Sequence, residues 1–459
     1  MKEKASSFIA KSTIKAADLD HRNKVNFNIR RYDSTVPLGK QQFSNVTLAR
    51  ERAKNTKWRA IEALDLYVET FESNFTARGG KVIWAETAED ALNEILKICK
   101  AKNCRTIVKS KSMVTEEIHL NDFLEKNNIE SVETDLGEYI QQLDGEPPYH
   151  IVTPAMHKSK EDVAKLFYEK LNTKPNLTPE ELTLVAREKL RGKYVQAEIG
   201  ITGANFIIAD TGSIAVTENE GNARLSCAFP KTHIAIAGIE KIIPSFTDLG
   251  LFWPLLATYG TGQMITVYNS VISGPRQSSE VDGPLDMYVI LLDNGRTNIL
   301  ANEKQRESLY CIRCGACLNA CPVYKNIGGH SYGTTYSGPI GAVITPQMQS
   351  MKEWNHLSYA SSLCGNCTEV CAVKINLHEL LLDNRGEAVE KGAASWQETI
   401  AWKAWKKASL NRKMMNKGNQ TIKNWVVNKI IGGWNRKRAD INFPEKTFNE
   451  MWKEKHNVK

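Results

Sequence analysis

Seven of the ten cysteines in this 459-residue chain fall between Cys311 and Cys371, in two short runs, and nothing else in it restricts folding as much. The first run reads Cys311-Ile-Arg-Cys314-Gly-Ala-Cys317-Leu-Asn-Ala-Cys321-Pro322, a C-x2-C-x2-C-x3-C-P pattern. That is the spacing of iron–sulfur ligation. The second, Cys364-Gly-Asn-Cys367-Thr-Glu-Val-Cys371-Ala372, repeats the last three cysteines, with Ser361 where the first would stand.

Three cysteines spaced by three on a tightly turning loop aim their sulfurs at one cube of iron and sulfide, and Gly315 lets the backbone approach closely. The fourth lies too far along and, in two-cluster ferredoxins, serves the other cluster. Crossed in this way, Cys311, Cys314, Cys317 and Cys371 take one [4Fe-4S] cluster, and Cys321, Cys364 and Cys367 a second. The second site is one thiolate short. Its remaining iron is left to water, substrate, a side chain such as Ser361 or the spare thiol of Cys227, or is missing in a [3Fe-4S] cluster. Cys99 and Cys104 read as small buried residues. Structural zinc prefers two separated C-x2-C pairs, and disulfides do not suit a chain expected in the cytoplasm.

The length suggests two or three domains. Neither a secretory leader nor an apolar run of membrane-spanning length is visible, so a cytoplasmic location without an integral membrane segment is expected. The net charge of +8 is uneven: residues 391–459 hold sixteen Lys and Arg against five Asp and Glu.

Before the cysteines the pattern alternates strand and helix. An amphipathic helix from Asn45 through Phe71 leads to Gly79-Gly80; Lys81–Trp84, Arg105–Lys109 and Ile129–Val132 are strand-like, with helices at Ala88–Cys99 and from Thr115. This predicts an α/β domain with a largely parallel sheet, whose ligands bind at the carboxyl ends of the strands. Lys109, Lys111, Asp135 and Glu138 stand at such ends. Further on, two apolar strands meet through Asp210-Thr-Gly212 and end in Glu218-Asn-Glu220. Lys109, Lys111 and Arg276 are candidates to pair with a substrate carboxylate, and Glu218 and Glu220 to act as general base. The plainer alternative for each is a loop charge or a helix cap. Thr258-Tyr-Gly260-Thr-Gly262 lacks the third glycine of a dinucleotide fingerprint, and no Walker motif occurs, so no NAD or ATP site is encoded.

Lys109-Ser-Lys-Ser-Met113, Glu133-Thr-Asp-Leu-Gly-Glu138, Ala209-Asp-Thr-Gly212, Glu218-Asn-Glu-Gly-Asn222 and His233-Ile-Ala-Ile, followed by the paired cysteine runs, resemble the B component of the bacterial lactate-utilization iron–sulfur proteins. The resemblance implies an N-terminal lactate-utilization domain with a fold like that of sugar-phosphate isomerases and CoA transferases. It also implies two [4Fe-4S] clusters on seven cysteines, and oxidation of L-lactate to pyruvate with a cysteine-rich partner and a second protein carrying a lactate-utilization domain. Relatives often have proline where this chain has Ala372.

The expected organisation is a helical arm over 1–60, the α/β domain over 61–300, and an α-helical two-cluster ferredoxin-type domain over 301–390 with motifs at 302–332 and 351–380. A basic helical tail follows over 391–459, carrying Trp396, Trp402, Trp405, Trp425, Trp434 and Trp452. Those tryptophans are read as covering the cluster region or a partner while the lysines stay in water; no nucleic-acid motif accompanies the charge. The expected role is electron transport for L-lactate oxidation. The alternatives are that the α/β domain itself is the catalytic subunit binding a small 2-hydroxy acid, or that it is a ligand-binding module beside a structural cluster domain.

Overall fold

The computed structural model describes residues 2–393, 396–415, 419–430, 439 and 441–456. The chain divides into two compact units, Met1–Lys391 and Gly392–Lys459.

The first unit is built on a six-stranded parallel sheet. Its strands are β1 (Lys81–Ala85), β2 (Thr106–Lys109), β3 (Glu130–Glu133), β4 (Ile199–Gly203), β7 (Thr232–Gly238) and β10 (Asp286–Leu292), in the order β1-β10-β7-β4-β2-β3. Parallel pairing requires crossover connections, and these cover both faces. Alternation along β7 shows the result. Ile234 and Ile236 pack with Ile95 and Leu124 on one side, while Ala235 and Ala237 meet Phe71 and Phe75 on the other.

A second sheet, β8-β5-β6-β9, packs beside it, formed by β5 (Phe206–Ile208), β6 (Ser213–Glu218), β8 (Ile242–Ile243) and β9 (Tyr268–Ile272). The β5–β6 turn is the one read from Asp210-Thr-Gly212. Gly212 has φ +55°, and a Cβ there would lie 2.4 Å from the Phe75 main-chain nitrogen, so no larger residue fits.

Four helices open the chain: α1 (Lys2–Ala17), α2 (Leu19–Lys40), α3 (Val46–Glu62) and α4 (Leu64–Thr76). The continuous helix expected from Asn45 to Phe71 is broken at Ala63, which takes φ −123°, ψ 44°. The apolar spacing runs on through the break because the two halves serve different cores. Ala53 and Ile61 face the cysteine-bearing region, whereas Val68, Phe71 and Phe75 cover the sheets. The helix expected from Thr115 is likewise interrupted, into Met113–Glu117 and Leu120–Lys126, by His119 in the left-handed region at φ 53°.

The helical region around the cysteines shares its core with this scaffold. Val25 and Ile29 of α2, Phe206, Phe252, Tyr324, Val343 and Leu381 belong to one buried cluster. Arg50 of α3 donates from Nε to the Cys371 carbonyl at 2.9 Å and from Nη2 to the Glu369 carbonyl at 2.7 Å. The segments expected as arm, α/β domain and cysteine region therefore pack as one body.

The second unit is helical, with Trp396–Ser409, Gln420–Ile430 and Phe448–His456 as its longer helices among the described residues. Trp396, Trp402, Trp405, Trp425 and Trp452 are exposed; Trp434 lies outside the described residues. Among the described residues no helix is long and apolar enough to cross a membrane.

Candidate functional site

The two cysteine runs adopt the same local fold. Arg313 and Leu363 take left-handed conformations at φ 60° and 54°, and Gly315 and Gly365 follow at φ 80° and 79°. A short helix then starts in each, Ala316–Ala320 and Asn366–Glu369, and carries the next cysteine inward. Cys321 and Cys371 lie just past these helices. Pro322 takes the first position of the following helix, where its missing N–H costs nothing.

This geometry sorts the seven thiols. Cys311, Cys314, Cys317 and Cys371 line one small apolar pocket with Ile312, Ile340 and Val373. Burial, and then the neighbouring thiol of Cys371, push the Cys314 thiol up to about 12. Burial also drives Cys371 to about 12, with Cys311 adding to the effect, and holds Cys317 well above its ordinary value. Buried thiols that raise one another as Cys314, Cys317 and Cys371 do hold thiolate charge only where a cation compensates it, which fits this pocket to a cluster's irons. Cys321, Cys364 and Cys367 form the other group. Burial and then Cys321 raise Cys367 to about 11, and Cys364 adds to the rise at Cys321. Cys364 itself is exposed, and hydrogen bonds from the Asn366 N–H and from Ser362 lower it.

The three other cysteines join neither group. Cys99 and Cys104 lie in the core beneath the sheet. Cys227 is buried with its sulfur 3.4 Å from Nε2 of His233.

A cavity of about 330 Å³ opens at the carboxyl ends of β2, β3, β4 and β6. Lys111, Asp135, Glu218 and Glu220 line it from the α/β side, and Arg313 and Cys314 from the cysteine side. Ile151, Arg313 and Cys314 belong to both this cavity and the four-thiol pocket, so the two share a wall.

Each candidate side chain has a definite place. Lys111 donates to the Val152 carbonyl at 3.0 Å and lies 3.5 Å from Asp135; burial opposes its charge, but Asp135, Glu138 and Glu220 outweigh that and raise its pKa. Glu218 accepts the main-chain N–H groups of Ala223 at 2.6 Å and Arg224 at 2.8 Å, spending both oxygens on the start of helix Asn222–Ala228. Among the described residues Glu220 accepts only the Leu136 N–H, at 3.1 Å. Loss of water around it, then Asp135, raise its carboxyl to about 7. Lys109 is fully buried, paired with Glu133 at 2.6 Å and Glu116 at 3.0 Å, and does not line the cavity. Nor does Arg276, which donates from Nη1 to the Val281 carbonyl on an exposed loop.

Residues outside the sequence-based candidates complete the cavity. Lys241 lines it just after β7, and burial followed by Arg313 lowers its ammonium to about 8. Tyr336 lines it as well, under the Arg313 guanidinium at 4.4 Å. Arg313 stood in plain view as the spacer before Cys314. Lys241 gave no signal, because it joins the cavity only when β7 packs beside β4.

The LUD domain family matches residues 68–292, and the 4Fe-4S dicluster domain family residues 307–375. Over 373 residues the chain is 48% identical to lactate utilization protein B of Bacillus velezensis, spanning 81% of this chain and 78% of that protein. It is 43% identical over 447 residues to lactate utilization protein B of Bacillus subtilis (strain 168), spanning 93% and 92%. It is 46% identical over 354 residues to the uncharacterized electron transport protein YkgF of Escherichia coli (strain K12), spanning 77% and 74%.

Proposed function

The chain belongs to the lactate utilization protein B family, and from that premise we propose that it is the iron–sulfur electron-transfer component of a bacterial complex that oxidises L-lactate to pyruvate. One observation carries the reading beyond the family: the strand-end cavity and the four-thiol pocket share Ile151, Arg313 and Cys314 as a common wall. A small 2-hydroxy acid held there lies beside a ligand of the first cluster.

Cys311, Cys314, Cys317 and Cys371 would hold that cluster, and Cys321, Cys364 and Cys367 the second. When bound, two [4Fe-4S] clusters would supply places for the electron pair of L-lactate → pyruvate + 2 H⁺ + 2 e⁻, one electron each. We assign the second set's open place to Ser361, and the support is local: its hydroxyl accepts the Leu363 N–H as the Cys311 sulfur accepts the Arg313 N–H.

Within the cavity, Lys111 supplies a fixed positive charge and Glu220 a carboxyl that changes protonation near neutral pH, suited to taking the hydroxyl proton. Glu218 holds the loop that presents Glu220. Lys109 organises the buried acids behind Lys111, and Arg276 keeps at most a peripheral role. The exposed Cys364 brings the second thiol group to the surface, where partners can meet it: the cysteine-rich protein and the second LUD-domain protein of the same pathway. The parallel sheet with a ligand cavity at its strand ends supports a sugar-phosphate isomerase and CoA-transferase type of domain.

The test is anaerobic reduction of the cluster-loaded chain, with and without its two partners, followed by visible bleaching and EPR with dithionite as control. Reduction by L-lactate in the complete mixture is expected. Clusters that respond to dithionite but never to lactate, with both partners present, overturn the reading.

A further inference from the structure

Buried cations around the cavity's cysteine wall outnumber the carboxylates that serve them. Lys57, Lys241, Arg296 and Arg313 share Glu117 and Glu240. Arg296 takes most of what these two acids offer, bonding Glu240 from Nε at 2.5 Å and Glu117 from Nη1 at 3.0 Å and Nη2 at 2.8 Å. Tyr336 takes a further share of Glu117, at 2.6 Å. Arg313 is left with Glu240 Oε1 at 3.5 Å and the Tyr336 ring. Its Nη1 is buried without a hydrogen-bond partner. Among the described residues the Lys241 ammonium makes no hydrogen bond or ion pair, although the residue is only 7% exposed. A buried guanidinium nitrogen without an acceptor is costly, and Arg313 together with the Lys241 ammonium lining the same cavity forms a receptor for an anion.

The opposite wall limits which anion fits. Asp135, Glu218 and Glu220 face the same space. They disfavour a second negative charge, and so phosphates and dicarboxylates; Glu218 spends both oxygens on its helix start, and Glu220, which spends one oxygen on the Leu136 N–H, accepts a hydrogen bond from a hydroxyl. A monoanion bearing a neutral hydroxyl or carbonyl satisfies both walls.

We propose that Arg313 and Lys241 together bind the carboxylate of a small 2-hydroxy or 2-oxo acid, holding it on the wall that the cavity shares with Cys314. The assignment rests on the cavity being the acid's site in the electron-transfer reading above. It adds which end of the ligand faces the first cluster. Arg313 thereby has a task beyond spacing two cysteines.

The test is calorimetric titration of the oxidised, cluster-loaded full chain, without turnover, using L-lactate, pyruvate, lactamide and inorganic phosphate. Lactate and pyruvate are expected to bind; lactamide, which lacks the carboxylate, and phosphate are not. Arg313→Met and Lys241→Met should each weaken pyruvate binding about tenfold or more, with Arg313→Lys between Arg313→Met and the parent because it keeps charge without the fork. Iron content and an EPR-monitored redox titration accompany each variant. If Arg313→Met fails to hold its clusters, Lys241→Met, which lies outside the cysteine runs, decides the matter. Variants that keep parental pyruvate affinity while their cluster potentials shift overturn the proposal, because the cations then serve the clusters alone. Such a result alongside lactate-driven reduction removes only the subsite. Carboxylate binding that depends on Arg313 and Lys241, with no lactate-driven reduction in the complete mixture, keeps the subsite and removes the electron-transfer role.

Discussion

Leu363 donates its main-chain N–H to the Ser361 hydroxyl at 3.1 Å, the counterpart of the Arg313 N–H on Cys311 sulfur at 3.4 Å in the other run. Both donors have left-handed backbones and both precede the first cysteine of a C-x2-C step. Ser361 thus makes the same local hydrogen bond as Cys311, which supports the proposal that it stands in for the missing cysteine. Ser361→Ala should leave the second cluster with three protein ligands and convert it readily to a three-iron form on mild oxidation, detectable by EPR. Ser361→Cys should keep four irons under the same oxidation. Identical EPR spectra for the parent and the Ala variant would remove serine from the ligand set.

The Glu220 carboxyl, raised to about 7 by lost hydration and then by Asp135, sets a pH dependence. A raised folded-state value means that between the unfolded value, near 4.5, and about 7 the folded chain binds more protons than the unfolded one. Its contribution to stability must then fall as pH rises through that window. Glu220→Gln should flatten this part of a melting temperature against pH profile. It should also lower lactate-dependent reduction by about a hundredfold or more if the carboxyl takes the hydroxyl proton. A parental pH profile in the Gln variant would assign the slope elsewhere.

Local chemistry was legible in the sequence wherever the groups that act together lie close along the chain. The cysteine spacing suggested two crossed sets, and the structure brings Cys371 to one pocket with Cys311, Cys314 and Cys317; β5, β6 and their Gly212 turn were readable because so short a turn leaves few geometries. Charged residues at strand ends were harder. Lys109 and Lys111 are two apart on an extended segment, yet one is buried with Glu133 and the other faces the cavity. Glu218 was readable as a general base or as a cap, and only the fold shows the Ala223 and Arg224 N–H groups aimed at it. Arg313 and Lys241 meet across 72 positions of sequence, and no local pattern encodes such a pair.

Arg296 sits fully buried between Glu117 and Glu240, and the three groups brace the wall carrying Arg313 and Tyr336. Arg296→Met strands two buried carboxylates. By the usual cost of breaking a buried pair, it should destabilise the chain by about 3–5 kcal/mol in denaturant unfolding. Tyr336→Phe, which removes one hydrogen bond to Glu117 and keeps the ring under Arg313, should cost about 1–2 kcal/mol. Equal losses in the two variants would mean that the network acts through packing rather than through charge.

Arg50 is the direct tie between an N-terminal helix and the last cysteine. Its guanidinium spans the carbonyls of Glu369 and Cys371, the segment that must deliver Cys371 across to the first run's thiols. Lys54, one turn on, donates to the Lys374 carbonyl at 3.2 Å, so α3 holds the return of this loop at two points. Losing Arg50 removes two charge-assisted hydrogen bonds, worth about 1.5–3 kcal/mol each, but touches neither sulfur nor iron. Arg50→Ala should therefore fold and load both clusters, yet release iron from the Cys371 set faster under chelator. Arg50→Lys, which preserves charge without the fork, should recover only part of the difference. Time-resolved iron release with EPR at each stage separates the two clusters. Loss confined to the Cys321, Cys364 and Cys367 set would show that α3 does not secure the crossing cysteine.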